Sequence, residues 1–343
     1  MMRFDMRRLL MSSIMTALLG AVACADSPTA PVMTPEPSGT TTPPATTAPP
    51  STTTTPPVTT TPITTVPAGA YNITVRYIGT SATPVQVQAV AAAVAKWQSV
   101  ITGDLADITA QADANACFAG QPALNERVDD ILIFVEFSDI DGVGKVLGEA
   151  GPCFIRNSGN LPLIGRLKLD QADLLRMEQT GTLDAVVLHE MGHVLGIGTL
   201  WPAVNLISGA GGTDPRFIGS GAVTAYHTLG GGDANVPVED QGSAGTRDGH
   251  WRESVFGNEL MTGYISGSTN PMSAMTIASL TDMGYNTNRS AAGSYSFATS
   301  TQRVTEPVDL HRGERVVRPK FVIDRDGRKG AIPANANGPW KLQ

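Results

Sequence analysis

The segment Leu183–Gly196, LDAVVLHEMGHVLG, decides what kind of domain this sequence can form. Thr182 is a residue type that caps helix N-termini, Asp184 suits the first turn, and Gly196 stands where a helix would end. Together these signals predict a helix from Leu183 to Leu195.

His189, Glu190 and His193 form the pattern HExxH within this predicted helix. Residues four apart lie one turn above each other on the same face, so the two imidazoles can bind one metal ion. Glu190, turned by about 100° around the helix, points beside that ion. A catalytic zinc site needs three protein ligands and one open position for water, so a third ligand must come from elsewhere. Gly196 allows the chain to leave the helix sharply and pass below the metal.

The longer pattern from His189 to Gly196, HExxHxxG, resembles the metzincin class of zinc endopeptidases. In that class the usual third histidine would stand at position 199, where this sequence has threonine. One metzincin family, leishmanolysin, has a long insertion before its third histidine, and this sequence is similar to that family over residues 183–285 and more loosely over 71–182. The resemblance implies an α+β fold of the metzincin type, with a twisted mixed sheet, long helices, an active-site helix and an irregular C-terminal lobe with a Met-turn.

His250 and Met261 are the residues that this resemblance adds to the site. The segments His250–Glu253 (HWRE) and Asn258–Met261 (NELM) look like the family's third-ligand region, in which a methionine follows the histidine by the same eleven residues. The resemblance therefore implies that His250 is the third zinc ligand. It also implies that Met261 is the Met-turn residue, which packs beneath the imidazoles without coordinating zinc.

Other residues compete for the position of third ligand. His227 lies in a glycine-rich insertion and could bind zinc, but no methionine follows it at the right distance, and His311 lies in the basic tail. An acidic third ligand, as in thermolysin-like gluzincins, would be Glu253 or Glu259. The glycine after the motif and the downstream methionine favour the metzincin arrangement.

A mechanism follows from one catalytic Zn²⁺ ion bound by His189, His193 and His250. The ion would lower the pKa of its water towards about 7 and polarise the scissile carbonyl. Glu190 would act as general base, accepting the proton of that water and passing it to the leaving amine. We therefore predict a zinc metalloendopeptidase that binds polypeptides in extended form, and Leu163–Leu169, the last strand before the helix, is the candidate to pair with them.

A cell-surface binding or adhesion module with a structural zinc ion is the rival interpretation. Structural zinc sites are four-coordinate and closed, so this function would require a fourth protein ligand such as His227 or Asp248. A structural zinc site would also give Glu190 no functional role. The glutamate beside the histidine pair therefore favours the enzyme.

The N-terminal residues have the composition of an export signal. Three arginines precede the apolar stretch Leu9–Ala23, which is too short to span a bilayer and ends in small residues, so residues 1–24 are predicted to direct export. Cys24 follows LGAVA in a pattern that resembles a bacterial lipobox. Membrane attachment through a lipidated Cys24 and ordinary secretion both stay open, and either places the protein outside the cytoplasm, secreted or at the cell surface or in the periplasm.

Composition divides the rest of the chain into three parts. Residues 25–69 hold 12 of the 24 prolines and 16 threonines, which predicts a disordered stalk with too few apolar side chains to fold. Residues 291–343 carry 9 Lys/Arg against 5 Asp/Glu and predict a basic, weakly ordered tail. The catalytic domain is expected at residues 70–290, with an N-lobe at 70–198 and a C-lobe at 199–290.

Charge and hydropathy exclude two classes of function. Residues 1–290 carry 15 Lys/Arg against 26 Asp/Glu, without the clustered basic face that nucleic-acid binding needs. No apolar run reaches the roughly 18 residues of a spanning helix, so we predict that the protein is not an integral membrane protein. We predict a monomer that binds no nucleic acid.

Cys117 and Cys153 are the two cysteines left once Cys24 is assigned to the signal. An exported pair is more often bridged than free, so a disulfide is expected, with two separate buried thiols as the alternative. Closing a loop of about 36 residues would stabilise the fold by about 3–4 kcal/mol. We predict no cysteine switch that caps the zinc.

Periodicity predicts a short set of elements around the motif. They are strands at Tyr71–Tyr77, Ile131–Phe137 and Leu163–Leu169, one or two short strands within Gly144–Arg156, helices at Val85–Ile101 and Ser273–Met283, and an irregular insertion at Thr199–Gly249. Four or five strands and one helix are thus expected before the HExxH helix.

Overall fold

The structure, a computed structural model, describes residues 69–242, 245–265, 268–297, 308–309, 314–333 and 341–342. The predicted export signal, nearly all of the predicted stalk, and His311 lie outside the described residues. The described residues belong to one compact unit. None of the helices in this part of the chain combines the length and the apolar character needed to cross a membrane.

The described residues form fourteen strands and six α-helices. The strands are β1 (Ile73–Ile78), β2 (Ile108–Ala112), β3 (Leu124–Val128), β4 (Ile131–Ser138), β5 (Gly148–Arg156), β6 (Pro162–Asp170), β7 (Ile207–Ser208), β8 (Arg216–Phe217), β9 (Val236–Pro237), β10 (Tyr264–Ile265), β11 (Val308–Asp309), β12 (Glu314–Val316), β13 (Phe321–Ile323) and β14 (Lys329–Ala331). The helices are α1 (Pro84–Val100), α2 (Gln171–Thr180), α3 (Leu183–Val194), α4 (Ser220–Thr228), α5 (Glu253–Phe256) and α6 (Ala274–Met283).

A seven-stranded mixed sheet is the centre of the fold. Its order is β1-β4-β6-β5-β13-β14, and β12 also pairs with β5. Strands β1, β4 and β6 run parallel, whereas β5 lies antiparallel to β6. On its other edge, β5 pairs in parallel with β12 and then with β13. A mixed sheet with several helices confirms the predicted α+β class.

Both faces of the sheet are covered, which explains why β4 has an almost continuous apolar sequence. Ile131, Ile133 and Val135 point into the main core with the helices. Leu132 and Phe134, which alternate with them, point into a smaller core under the β2–β3 hairpin. Side chains of a strand alternate between its two faces, so each face receives every second residue.

Helix α1 begins with a capping box, which accounts for its sharp start after β1. The Thr83 hydroxyl accepts from the backbone N–H of Gln86, and the Gln86 side chain accepts from the N–H of Thr83. Pro84 stands at the first helical position, where no backbone donor is needed. The helix predicted at Val85–Ile101 is thereby confirmed.

The expectation of four or five strands and one helix before the motif is wrong. Six strands and two helices precede α3 in the described residues. The β2–β3 hairpin was missed because its strands are short and their outer faces are polar. Helix α2 was missed because its sequence, QADLLRMEQT, has few apolar positions, and capping by Asp170 and Gly181 defines it instead.

The predicted irregular insertion at Thr199–Gly249 contains regular structure. It forms a three-stranded sheet, β7-β8-β9, and helix α4. Each of these strands is two residues long, which is too short for any periodicity to show in the sequence.

The prediction of a weakly ordered tail at residues 291–343 is wrong for residues 314–333. They form β12, β13 and β14 of the main sheet, and Val322 and Ile323 are buried. These strands are three residues long and gain their order from β5, a partner more than 150 residues away in the chain. A sequence window cannot show such a pairing.

Cys117 and Cys153 form the predicted disulfide, with 36 residues of sequence separation. Both are buried in the smaller core, where Phe118 and Phe134 pack edge to face. While this bond is intact, neither cysteine offers a thiol that could cap a metal.

Candidate active site

Helix α3 carries the HExxH residues and is held by hydrogen bonds on either side of the motif. Trp97 of α1 donates its Nε1–H to the carbonyl of Leu188 at 3.0 Å. Tyr285 donates its hydroxyl to the carbonyl of Leu195, also at 3.0 Å. The motif therefore lies on a helix whose position is determined by the core around it.

Thr182 stands at the N-cap position, but its side chain makes no capping bond. The hydroxyl instead donates to the carbonyl of Met177 at 3.5 Å. The prediction of a side-chain cap is wrong because α2 ends only two residues earlier, and the backbone of Thr182 is already helical.

His189, His193 and His250 bring their Nε2 atoms together in a small triangle. The separations are 2.9 Å between His189 and His193, 3.1 Å between His193 and His250, and 3.2 Å between His189 and His250. All three side chains are fully buried. Two of these histidines come from one helical turn, and the third comes from a loop 57 residues after His193.

The other ring nitrogen of each histidine is held by a backbone carbonyl. Nδ1 of His189 lies 2.7 Å from the oxygen of Leu260. Nδ1 of His193 lies 2.9 Å from the oxygen of Ile197, and Nδ1 of His250 lies 2.8 Å from the oxygen of Thr246. A carbonyl oxygen can only accept, so each Nδ1 carries the proton and each Nε2 presents a lone pair. Three lone pairs this close repel one another unless a cation lies between them.

The three nitrogens fit a zinc ion. Zinc binds histidine nitrogen at about 2.0–2.1 Å in tetrahedral geometry, which separates neighbouring ligands by about 3.3 Å. The observed separations of 2.9–3.2 Å are close to that value. Among the described residues, the metal-binding group here consists of these three histidines. A tetrahedral ion would therefore keep one position for water or substrate.

Glu190 is fully buried beside the histidines and lies against the start of β5. A methyl group added at Gly148 would come within 2.9 Å of Glu190 Oε1. Only glycine at this position lets the strand approach the carboxylate so closely. The sequence contains no local signal for this role of Gly148, because the two residues belong to different elements.

The loop that carries His250 is fastened to its neighbours through backbone hydrogen bonds. Glu239 donates its N–H to the carbonyl of His250 at 2.9 Å, and its own carbonyl accepts from Asp248 at 3.0 Å. On the other side, Trp251 donates its N–H to the carbonyl of Met261 at 3.0 Å. The third ligand is therefore held from both directions, although no helix or long strand contains it.

Met261 lies under the helix, and glycines make room for this arrangement. The residue is fully buried. A methyl group at Gly192, between the two helical histidines, would lie 2.9 Å from Met261 Sδ and 3.1 Å from Trp97. Gly198 has φ +72°, and a methyl group there would lie 2.0 Å from the carbonyl oxygen of Gly249. Sequence reasoning missed the roles of Gly192 and Gly198.

Glu259 organises the turn that contains Met261. Its carboxylate accepts the N–H of Met261 at 2.7 Å, the N–H of Ser273 at 2.9 Å and the hydroxyl of Thr276 at 2.5 Å. Burial raises the pKa of the Glu259 carboxyl above its ordinary value, and these hydrogen bonds act in the opposite direction. The glutamate therefore serves the turn that supplies the Leu260 carbonyl to His189.

The competing candidates lie elsewhere. His227 is exposed, and its Nε2 lies 2.8 Å from the carbonyl oxygen of Asp233. Thr199, at the position of the usual third histidine, donates its hydroxyl to the carbonyl of His193 at 2.8 Å. Asp248, a possible fourth ligand in the rival interpretation, accepts the N–H of Gly211 at 2.9 Å. Neither His227 nor Asp248 belongs to the group around His250.

The strand predicted to pair with substrate, Leu163–Leu169, cannot do so in this structure. It is β6, which has β4 on one side and β5 on the other. Both of its edges are therefore already hydrogen-bonded. Among these strands, β5 is the one whose first residue touches Glu190.

A buried triad of histidines on an HExxH helix, with a glutamate beside it, defines a metallopeptidase of the HExxH class. The family model described as leishmanolysin, peptidase family M8, matches residues 110–302, more than half of the chain. The protein belongs to this family of zinc-dependent metallopeptidases. A search of curated proteins finds no match.

Proposed function

We propose that this protein is a metalloendopeptidase that hydrolyses peptide bonds of extended polypeptides with one catalytic Zn²⁺ ion held by His189, His193 and His250. The main support is that the Nδ1 of each of these histidines donates to a backbone carbonyl, so that the three Nε2 lone pairs face one another. A set of three ligands suits a catalytic site better than a closed structural one, which would need a fourth. Membership of the leishmanolysin family supports the same activity.

Glu190 is the proposed general base. When bound, zinc would supply a water of lowered pKa and polarise the scissile carbonyl. Glu190 lies one residue from a ligand, on the same buried helix, and its carboxylate faces the start of β5. There it can accept a proton at a carboxylate oxygen and pass it to the leaving amine.

The proposed Met-turn is the segment around Met261. Its support is the packing of Met261 against Gly192 and the bond from Glu259 to the Met261 N–H. The thioether would support the imidazoles from below. We propose that its sulfur packs against Gly192 and does not coordinate the metal.

Replacement of single site residues tests this function. Glu190→Ala should keep zinc and lose hydrolysis by several orders of magnitude, whereas His250→Ala should lose both. His227→Ala is the matched control, because it removes an exposed histidine outside the triad and should change neither. Zinc content and casein cleavage measure the outcome. Casein cleavage by Glu190→Ala at the parent rate would refute the proposal.

We further propose that the protein acts outside the cytoplasm. The export signal at residues 1–24 and the Cys117–Cys153 disulfide support this location, because such bonds persist in oxidising compartments. Comparing membrane and soluble fractions for the parent and for Cys24→Ser distinguishes lipid anchoring from plain secretion. Retention of the mature parent in the cytoplasm would contradict export.

A further inference from the structure

Residues 314–333, here called the C-terminal strap, lie against the strand that faces the candidate catalytic glutamate. Glu314 pairs with Gly148 and Val316 with Ala150 at the start of β5. Further along, Lys320 donates its N–H to the carbonyl of Cys153 at 2.9 Å, and β13 continues the pairing. The strap therefore pairs with the edge of β5 opposite to β6, beginning at Gly148, the first residue of β5.

The strap approaches β5 closely at Ala150 and Gly151. Val317 donates its N–H to the carbonyl of Ala150 at 2.7 Å. A methyl group at Gly151 would lie 2.1 Å from the Val317 carbonyl oxygen, so the backbone of the strap passes very close to the backbone of β5. A methyl group at Gly249, which precedes His250, would lie 3.8 Å from Val316 Cγ2. Val316 therefore lies near the loop that carries His250 while the same stretch of strap is hydrogen-bonded to β5.

The chain before the strap pairs with a strand that closely follows Met261 in the sequence. Strand β11 pairs antiparallel with β10, so Val308 lies opposite Ile265 and Asp309 opposite Tyr264. Strand β10 follows Met261 by three residues. The C-terminal segment is therefore paired with the chain at two places, β10 and β5.

The three histidines and Glu190 are shielded from solvent in this structure. His189, Glu190, His193 and His250 all have 0% exposed surface. A peptidase must admit a polypeptide in extended form, and main-chain hydrogen bonds to a sheet edge are the general way to hold one. At Gly148–Ala150, one edge of β5 is bonded to β6 and the other to the strap.

On the basis of the proposed function, we infer that the C-terminal strap is an autoinhibitory segment that occupies the substrate's place on β5. Displacement or proteolytic removal of the strap opens the site, and an extended peptide then pairs with the edge that Glu314–Val316 leaves. The strap carries its own strands β13 and β14 as an anchor away from the site. Only its first part needs to move.

Val317→Pro in the full-length chain tests the inference. Proline removes the N–H that bonds to Ala150 and keeps Val316 extended, while β13 and β14 stay intact. Losing one such hydrogen bond should raise the open population, and with it the rate of peptide cleavage, by about 2- to 10-fold. Transfer of zinc to a chelator should accelerate by the same factor.

Ile332→Pro is the matched control. It removes the bond from the Ile332 N–H to the carbonyl of Lys320 at 2.7 Å, which joins two residues of the strap and does not bond the strap to β5. Cleavage and zinc transfer should stay within about twofold of the parent. Val316→Ala is a gentler change in the part of the strap that lies near Gly249. It should act in the same direction as Val317→Pro, and it covers the case in which the proline variant does not fold.

Zinc transfer separates a failure of this inference from a failure of the proposed function. If the strap covers the site but the protein is no peptidase, zinc transfer accelerates while no variant cleaves peptides. If the parent cleaves peptides and both Val316→Ala and any folded Val317→Pro match it in cleavage and zinc transfer, the strap is an ordinary part of the sheet and the inference is overturned.

Discussion

Helix α3 and the loop from Glu239 to Met261 supply the same site in different ways. The helix places His189 and His193 on one face through its own periodicity, and both ligands lie within one turn. The loop places His250 through its backbone bond to Glu239 and through the bond from the next residue, Trp251, to Met261. The longest regular element in the described part of this loop has four residues. We expect metal binding to tolerate changes around the helix, whereas each support removed from the loop should weaken metal binding.

Gly198→Ala should have the largest effect, because it forces the loop away from the helix. The added methyl group would lie 2.0 Å from the carbonyl oxygen of Gly249, at a residue with φ +72°. Clash and backbone strain together should lower the free energy of unfolding by about 3 kcal/mol or more. Zinc should bind at least about tenfold more weakly. Denaturant unfolding and metal titration measure the two quantities.

Gly181→Ala is the control for backbone strain alone. Gly181 has φ +67°, like Gly198, but nothing lies within 4 Å of an added methyl group. Its cost should be about 1 kcal/mol, with zinc affinity unchanged. Equal loss of zinc in both variants would mean that the contact with Gly249 does not position His250.

Glu259→Gln should rank second. The carboxylate accepts from Met261, Ser273 and Thr276, whereas an amide offers only one acceptor oxygen and would turn donors towards a buried N–H. We expect a loss of about 1–3 kcal/mol in the free energy of unfolding. The metal should also bind more weakly, because Leu260 supports His189. Unchanged stability would show that the turn does not depend on this network.

Gly192→Ala should cost less, although the residue lies between two ligands. Crowding against Met261 Sδ at 2.9 Å should cost about 1–3 kcal/mol, and the better helix propensity of alanine should return about 1 kcal/mol. The free energy of unfolding should therefore fall by about 0–2 kcal/mol. In a double-mutant cycle, Met261→Ala should remove most of this cost. Additive effects would contradict direct packing between the two residues.

Trp251→Phe should have the smallest effect, through the loss of its Nε1–H bond to the Thr276 hydroxyl at 2.8 Å. The expected loss is about 0.5–1.5 kcal/mol, with a few-fold weaker zinc affinity. Trp97→Phe removes a similar bond on the helix side, to Leu188 at 3.0 Å. It should lose similar stability but keep its zinc affinity. A reversed order of zinc affinities would refute the contrast between helix and loop.

The HExxH helix and most of the strands around it could be predicted because their signals are local. The apolar runs of β4 and β6 and the capping and glycine signals of α3 and α6 all lie within one element. The disulfide followed from counting cysteines. His250 came from a family resemblance, and the structure brings it to the other two histidines.

The missed features depend on contacts between distant segments. Two-residue strands in the insertion have no period to detect, and the strap is ordered only by its pairing with β5. Gly148, Gly192 and Gly198 look like any other glycines in the sequence. Their importance appears only when the atoms that would meet a side chain are known.

Helical periodicity places residues four apart on one face whatever surrounds them, so the amino-acid sequence alone was enough to identify the pair of histidines and the glutamate beside them. The longer motif and the segments after it also indicated the family. Only the folded protein shows which nitrogen of each imidazole faces a backbone carbonyl, how His250 reaches the other two histidines, and which segments pair with β5. Those outcomes depend on carbonyl groups and strand edges contributed by distant parts of the chain, and a linear sequence does not contain their distances.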